Sequence, residues 1–166
     1  ADERLLAMLR QGPPKSEEAW LEALGRAVSV KARLVEEDER DVGLRRLLNY
    51  GHTVGHALET LLGNERMRHG EAVAIGMDIA AALAVDRSLL ASEQRLEQAA
   101  DLARLGLATE LPADVEAGQI LSLLGMDKKR GAGTAHTLVL PRGRLGAAVH
   151  TDVTDAELRR AIERPA

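Results

Sequence analysis

From Ala72 to Val85 the chain runs apolar with a single charged residue, Asp78, and this stretch constrains the fold more than any other. A bilayer span needs about 20 consecutive apolar residues, so the run is too short to cross a membrane. A helix that is apolar on every side must be enclosed by the rest of its own domain. The pattern predicts a buried central helix from about His69 to Leu90. Its surroundings must be aliphatic, because Trp20 and Tyr50 are the only aromatic residues and phenylalanine is absent.

Other helices flank this centre. Residues 2–10 form a short one, ended by Gly12-Pro13-Pro14, since proline lacks a backbone donor and disfavours helix in the residue before it. Ser16 is the expected N-cap of a second helix, whose apolar positions Trp20, Leu21, Leu24, Ala27, Val28, Leu34 and Val35 recur near every 3.6 residues. Lys31 falls on or near that stripe. The acidic run Glu36–Glu39 leads into a loop at residues 40–43, and a third helix is predicted over Leu44–Leu62. Ser92 is read as the cap of a helix reaching Leu105, with Gly106 at its end. Pro112 precedes another helix over Ala113–Leu124. Charged and glycine-rich residues 127–133 form a loop, followed by strands His136–Leu140 and Leu145–Val149. Thr154-Asp155-Ala156-Glu157 is a capping-box pattern that opens a last helix. The expected fold is mainly α: a single multi-helical domain over residues 1–166 with one small β-hairpin near the C-terminus. At 166 residues such a domain buries roughly 70% of its unfolded surface.

Composition excludes some partners. A net charge of −4 lacks the basic footprint of a duplex binder, and two aromatics make no stacking platform for single strands. No nucleic acid and no membrane partner is expected. With no cysteine there is neither a disulfide framework nor a thiolate metal site. Residues 1–14 have no basic segment followed by an apolar stretch, so they do not read as a signal peptide. A cytoplasmic location is expected.

Three of the five histidines cluster in sequence, in Asn49-Tyr50-Gly51-His52-Thr53-Val54-Gly55-His56 and in His69-Gly70-Glu71. His52 and His56 are four apart, so on a helix their rings share a face and can chelate one metal ion. Gly51 and Gly55 repeat the same spacing, each costing about 1 kcal/mol relative to alanine inside a helix. Something must approach closely there, a ligand or a packed helix, and the spacing leaves both open. His69 opens the next helix and returns to the same place if the two helices form a hairpin.

These motifs carry a resemblance. Lys31 to Arg45, then Leu47-Leu-Asn-Tyr-Gly-His-Thr-Val-Gly-His-Ala-Leu-Glu59, then His69-Gly-Glu-Ala-Val-Ala-Ile-Gly-Met77 resemble the 3-dehydroquinate synthase signature in order and spacing. Asp127-Lys128-Lys129 before a hairpin is similar to the end of that family's helical, metal- and substrate-binding C-terminal domain. The resemblance implies a divalent ion, Zn2+ or Co2+, on His52 and His69, with His56 handling protons near the substrate. The family's third ligand, a Glu, lies upstream of residue 1 and has no counterpart here. Lys31, Arg45 and Asn49 match substrate-contacting, catalytic positions, and Lys128 or Lys129 a further lysine at the site. Asp41 stands where the family has a Glu four residues before the arginine. Arg45, Asn49, His52 and His56, at spacings of four, three and four, are expected to line one face of the Leu44–Leu62 helix.

The implied reaction converts 3-deoxy-arabino-heptulosonate 7-phosphate into 3-dehydroquinate and phosphate in the shikimate pathway, towards chorismate and the aromatic amino acids. It is a lyase reaction using NAD+ and a metal. Dinucleotide binding calls for a strand–Gly-x-Gly-x-x-Gly–helix unit, which this sequence lacks. NAD+ is therefore expected on a separate N-terminal domain, the partner of this one, and the isolated chain is expected to be inactive. A homodimer is plausible from the resemblance. Two other functions remain open: a sister sugar-phosphate cyclase of the aminocyclitol type, and a non-catalytic helical interaction module.

Overall fold

The computed structural model describes residues 2–40, 43–128, 135–143 and 146–164. Their order is α1 (Glu3–Leu9), α2 (Glu17–Glu37), a 3-10 helix (Leu44–Asn49), α3 (His52–Leu62), α4 (His69–Asp86), α5 (Ser92–Arg104), α6 (Ala117–Lys128), β1 (Ala135–Arg142), β2 (Gly146–Thr154) and α7 (Asp155–Glu163). The mainly helical fold with one antiparallel hairpin is the one expected.

Helix α4 is the centre. Ala72, Ile75, Ile79, Ala81, Leu83 and their neighbours are buried on all sides, between α3, α5, α7 and β1. Asp78, the one charge in the run, is also buried, and Arg95 of α5 grips it with Nε at 3.2 Å and Nη2 at 2.8 Å. A paired guanidinium is what lets a carboxylate sit in such a core.

α3 lies against α4 closely enough for glycine to be required. A Cβ added at Gly76 would stand 2.0 Å from the Gly51 carbonyl oxygen, and one at Gly55 would stand 3.2 Å from the Val73 Cα. The close approach that the glycine spacing called for is therefore made by a packed helix.

The predicted helix Leu44–Leu62 is corrected by the same contact. It breaks at Tyr50 and Gly51: the first part is the 3-10 helix, and Gly51 turns the chain at φ +80° before α3 begins. A side chain at Gly51 would meet the Val73 carbonyl at 2.6 Å, so the left-handed turn pressed on α4 is open to glycine alone. Arg45 and Asn49 precede the break and do not continue the α3 face.

Other boundaries shift for local reasons. α4 stops at Asp86 instead of Leu90, because Ser88 takes φ 57°. The Ser88 and Leu89 N–H groups then donate back to the Val85 and Ala84 carbonyls at 2.9 and 2.8 Å, a Schellman ending. Ser92 is the first residue of α5, and Ala91 occupies the cap, its N–H donating to Gln94 Oε1. α6 starts at Ala117, four residues later than expected, after Gln119 has accepted from the Glu116 N–H at 2.8 Å. The Ser16 cap and the Thr154–Glu157 capping box are both formed.

Candidate metal and substrate site

Residues at the ends of α3 and α4 build the site. His52 is the first residue of α3 and His56 lies one turn on; His69 is the first residue of α4. The start of α4 is pinned by Glu71, whose carboxylate accepts from the Arg68 N–H at 2.7 Å. The start of α3 is tied to the hairpin by Thr53, whose hydroxyl donates to the Thr137 carbonyl at 3.1 Å.

These anchors bring the three rings together. The His52 centroid lies 5.3 Å from that of His69 and 5.4 Å from that of His56, and His56 and His69 are 6.1 Å apart. With Zn–N bonds of about 2.0–2.1 Å, two imidazoles on one tetrahedral zinc have centroids about 5 Å apart. The centroid spacings alone match those of rings that share an ion.

Orientation separates the rings. His52 Nδ1 is 3.1 Å from the Tyr50 carbonyl oxygen. A carbonyl only accepts, so Nδ1 carries the proton and the neutral ring presents its Nε2 lone pair. Tyr50 is itself clamped: its hydroxyl donates to Gln98 Oε1 at 2.6 Å and lies 3.1 Å from the Met77 carbonyl. Burial holds that phenol well above its ordinary pKa, so it remains a donor. His69 Nδ1 meets Glu59 Oε1 at 2.9 Å. The His56 ring has no hydrogen bond among the described residues, and it stands exposed. Ligand atoms of His56, Glu59 and His69 all fall within 4.8 Å of one another, and His52, whose ring centroid is as near, is not part of that set. Imidazoles with a nearby carboxylate are a donor set that suits zinc or cobalt.

The remaining expected residues are placed less closely. Lys31 is exposed on α2. Arg45 follows the loop after α2, where Asp38 Oδ2 accepts from its N–H at 3.1 Å and from the Gly43 N–H at 2.7 Å. Its guanidinium donates to the Glu39 carbonyl at 3.2 Å. Asn49 borders a narrow crevice with Gly51, Thr53 and Val139, where the 3-10 helix, α3 and β1 meet. Asp41, Lys129 and the Lys128 side chain lie outside the described residues. The other two histidines belong elsewhere: His136 pairs with Asp155 at 2.6 Å, and His150 lies near Arg87 and Asp152.

Sequence reasoning passed over Glu59 and Tyr50. Glu59 had a signal, since it is three residues after His56 and seven after His52, on the face of α3 that carries both rings.

Residues 1–130 match the family described as 3-dehydroquinate synthase C-terminal. The chain belongs to that family. It is 41% identical over 139 residues to the 3-dehydroquinate synthase of Nostoc punctiforme, an alignment covering 84% of this chain and 38% of the relative. With the enzyme of the same name from Citrifermentans bemidjiense it shares 46% identity over 115 residues, 69% of this chain and 32% of the relative. The chain thus spans well under half the length of these relatives. Among solved structures it resembles 2-epi-5-epi-valiolone synthase from Streptomyces hygroscopicus subsp. jinggangensis, which has NAD+ and Zn2+ bound. The TM-score is 0.78 at 26% identity, over 97% of this chain and 46% of the other. A 2-deoxy-scyllo-inosose synthase complexed with carbaglucose-6-phosphate, NAD+ and Co2+ shares the fold, with a TM-score of 0.76 at 22% identity over 95% of this chain and 49% of the other. Among the described residues no helix is long and apolar enough to cross a membrane.

Proposed function

We propose that this chain is the metal- and substrate-binding part of a 3-dehydroquinate synthase, acting on 3-deoxy-arabino-heptulosonate 7-phosphate in the cytoplasm as a step of the shikimate pathway. The observation that carries the reading is the convergence of His52, His56 and His69, with His52 and His69 each held at Nδ1. Family membership supports it. Zn2+, or Co2+, would be held by His52 and His69 and would act as a Lewis acid on substrate oxygens.

The chain's own residues do the rest. His56, exposed beside the two ligand rings and without a hydrogen bond among the described residues, takes up and returns a proton at the substrate. Arg45 is anchored at its backbone and by one guanidinium nitrogen, leaving donors for a carboxylate or phosphate oxygen. Asn49 supplies an amide for substrate hydroxyls. Lys31, Asp41 and one of Lys128 and Lys129 are assigned to the substrate by the family resemblance. NAD+ falls to an N-terminal domain of the same enzyme, since no glycine-rich strand–helix turn occurs in this sequence. By itself the chain is expected to be inactive.

A sister sugar-phosphate cyclase is the second reading, favoured by the close match of the backbone to the valiolone synthase. Phosphate release separates the two, measured on a polypeptide that joins this segment to its NAD-binding region. Release from the seven-carbon keto-acid phosphate and not from a sugar phosphate without a carboxylate supports the first reading. The opposite preference would replace it with the second.

A further inference from the structure

We propose that Glu59 is the positioning residue of His69: its carboxylate holds the ring as the Nδ1–H tautomer and so keeps Nε2 free for an ion. The consequence for metal binding rests on the function proposed above; the tautomer does not.

The two ligand histidines are oriented by different kinds of group. For His52 the acceptor is a backbone carbonyl, which no substitution removes. For His69 it is a side chain, Glu59 Oε1 at 2.9 Å. An ionised carboxylate has no proton to give, so the ring must donate from Nδ1. His69 needs the help more. Its side chain is 57% exposed at the very start of α4, and its ring neighbours are the rings of His52 and His56, at 5.3 and 6.1 Å. Glu59 is well placed to give it, with its own side chain only 20% exposed and its backbone inside α3. Without the carboxylate the ring is free to turn and to move its proton to Nε2, the nitrogen an ion would need. Outer partners of this kind typically change metal affinity by about 10–100-fold.

Two measurements on the chain test this, with E59A and E59Q beside the unsubstituted protein. Long-range 15N–1H correlation spectra of the metal-free chain, taken with the rings neutral, report the tautomer. His69 should be Nδ1–H in the unsubstituted chain and in E59Q, whose amide oxygen also accepts, and should shift towards Nε2–H in E59A. Titration with Co2+, followed by its visible absorption, reports affinity and ligand set. E59A should weaken binding by about 10–100-fold with the band shape and intensity kept, and E59Q by less. An Nε2–H ring in the unsubstituted chain would overturn the proposal, as would equal Co2+ affinity in E59A. A changed cobalt band in E59A would overturn it differently, making Glu59 itself a ligand. If neither the unsubstituted chain nor the polypeptide that joins this segment to its NAD-binding region, which would carry the upstream carboxylate ligand, bound Co2+, the metal reading would fall, and the tautomer spectra would still decide the part played by Glu59.

Discussion

Helices α2 and α4 are the two longest of the described residues, and they reverse what their hydrophobic patterns lead one to expect. α2 has an amphipathic stripe, the pattern of a helix docked on a core, yet Trp20, Leu21, Leu24 and Val28 are exposed and Ala23 alone is buried. α4 has no stripe, carries a charge at its middle, and is enclosed. A stripe tells which face of a helix favours cover; it does not tell which surface supplies the cover. For α4 the cover comes from α3, α5, α7 and β1, and its charge is met by Arg95 from the neighbouring helix.

That contrast can be broken by substitution. The largest effect is expected from Asp78→Ala, which leaves the Arg95 guanidinium buried without its carboxylate; loss of one partner of a buried pair costs about 3–5 kcal/mol. Denaturant unfolding of the chain would read this, and a loss below about 1 kcal/mol would mean that Arg95 escapes to solvent. Gly76→Ala is expected to come next, at roughly 1–3 kcal/mol, because the new methyl must displace the Gly51 backbone. Since Gly51 immediately precedes His52, the same variant should also disturb the His52 ring signals. The smallest effect is expected for Leu24→Ser on α2, within about 0.5 kcal/mol in this chain. A larger loss would show that the α2 face is covered in solution.

The same division runs through what was legible in the sequence. Local signals held: the Ser16 cap, the Thr154–Glu157 box, the hairpin, and the shared face of His52 and His56 all depend on residues close in sequence. The break at Tyr50-Gly51 was not legible, because the spacing of Arg45, Asn49, His52 and His56 is helical throughout. What bends the chain there is α4, more than twenty residues away in sequence. Glu59 was passed over for a similar reason. Its position on the α3 face could be read, but its partner is fixed only when α3 and α4 form their hairpin. His69 was legible as a neighbour of His52 on condition that the two helices form a hairpin, which they do, and only its part as a ligand came from resemblance to a family.

The central claim is that His52 and His69 hold a divalent ion, and zinc binding tests it most directly. Equilibrium dialysis against Zn2+, on the polypeptide that joins this segment to its NAD-binding region, should find one ion per polypeptide, with the affinity falling at least about tenfold in H52A and in H69A while H56A keeps most of it. The absence of stoichiometric zinc, or an affinity that H69A leaves unchanged, would contradict the account.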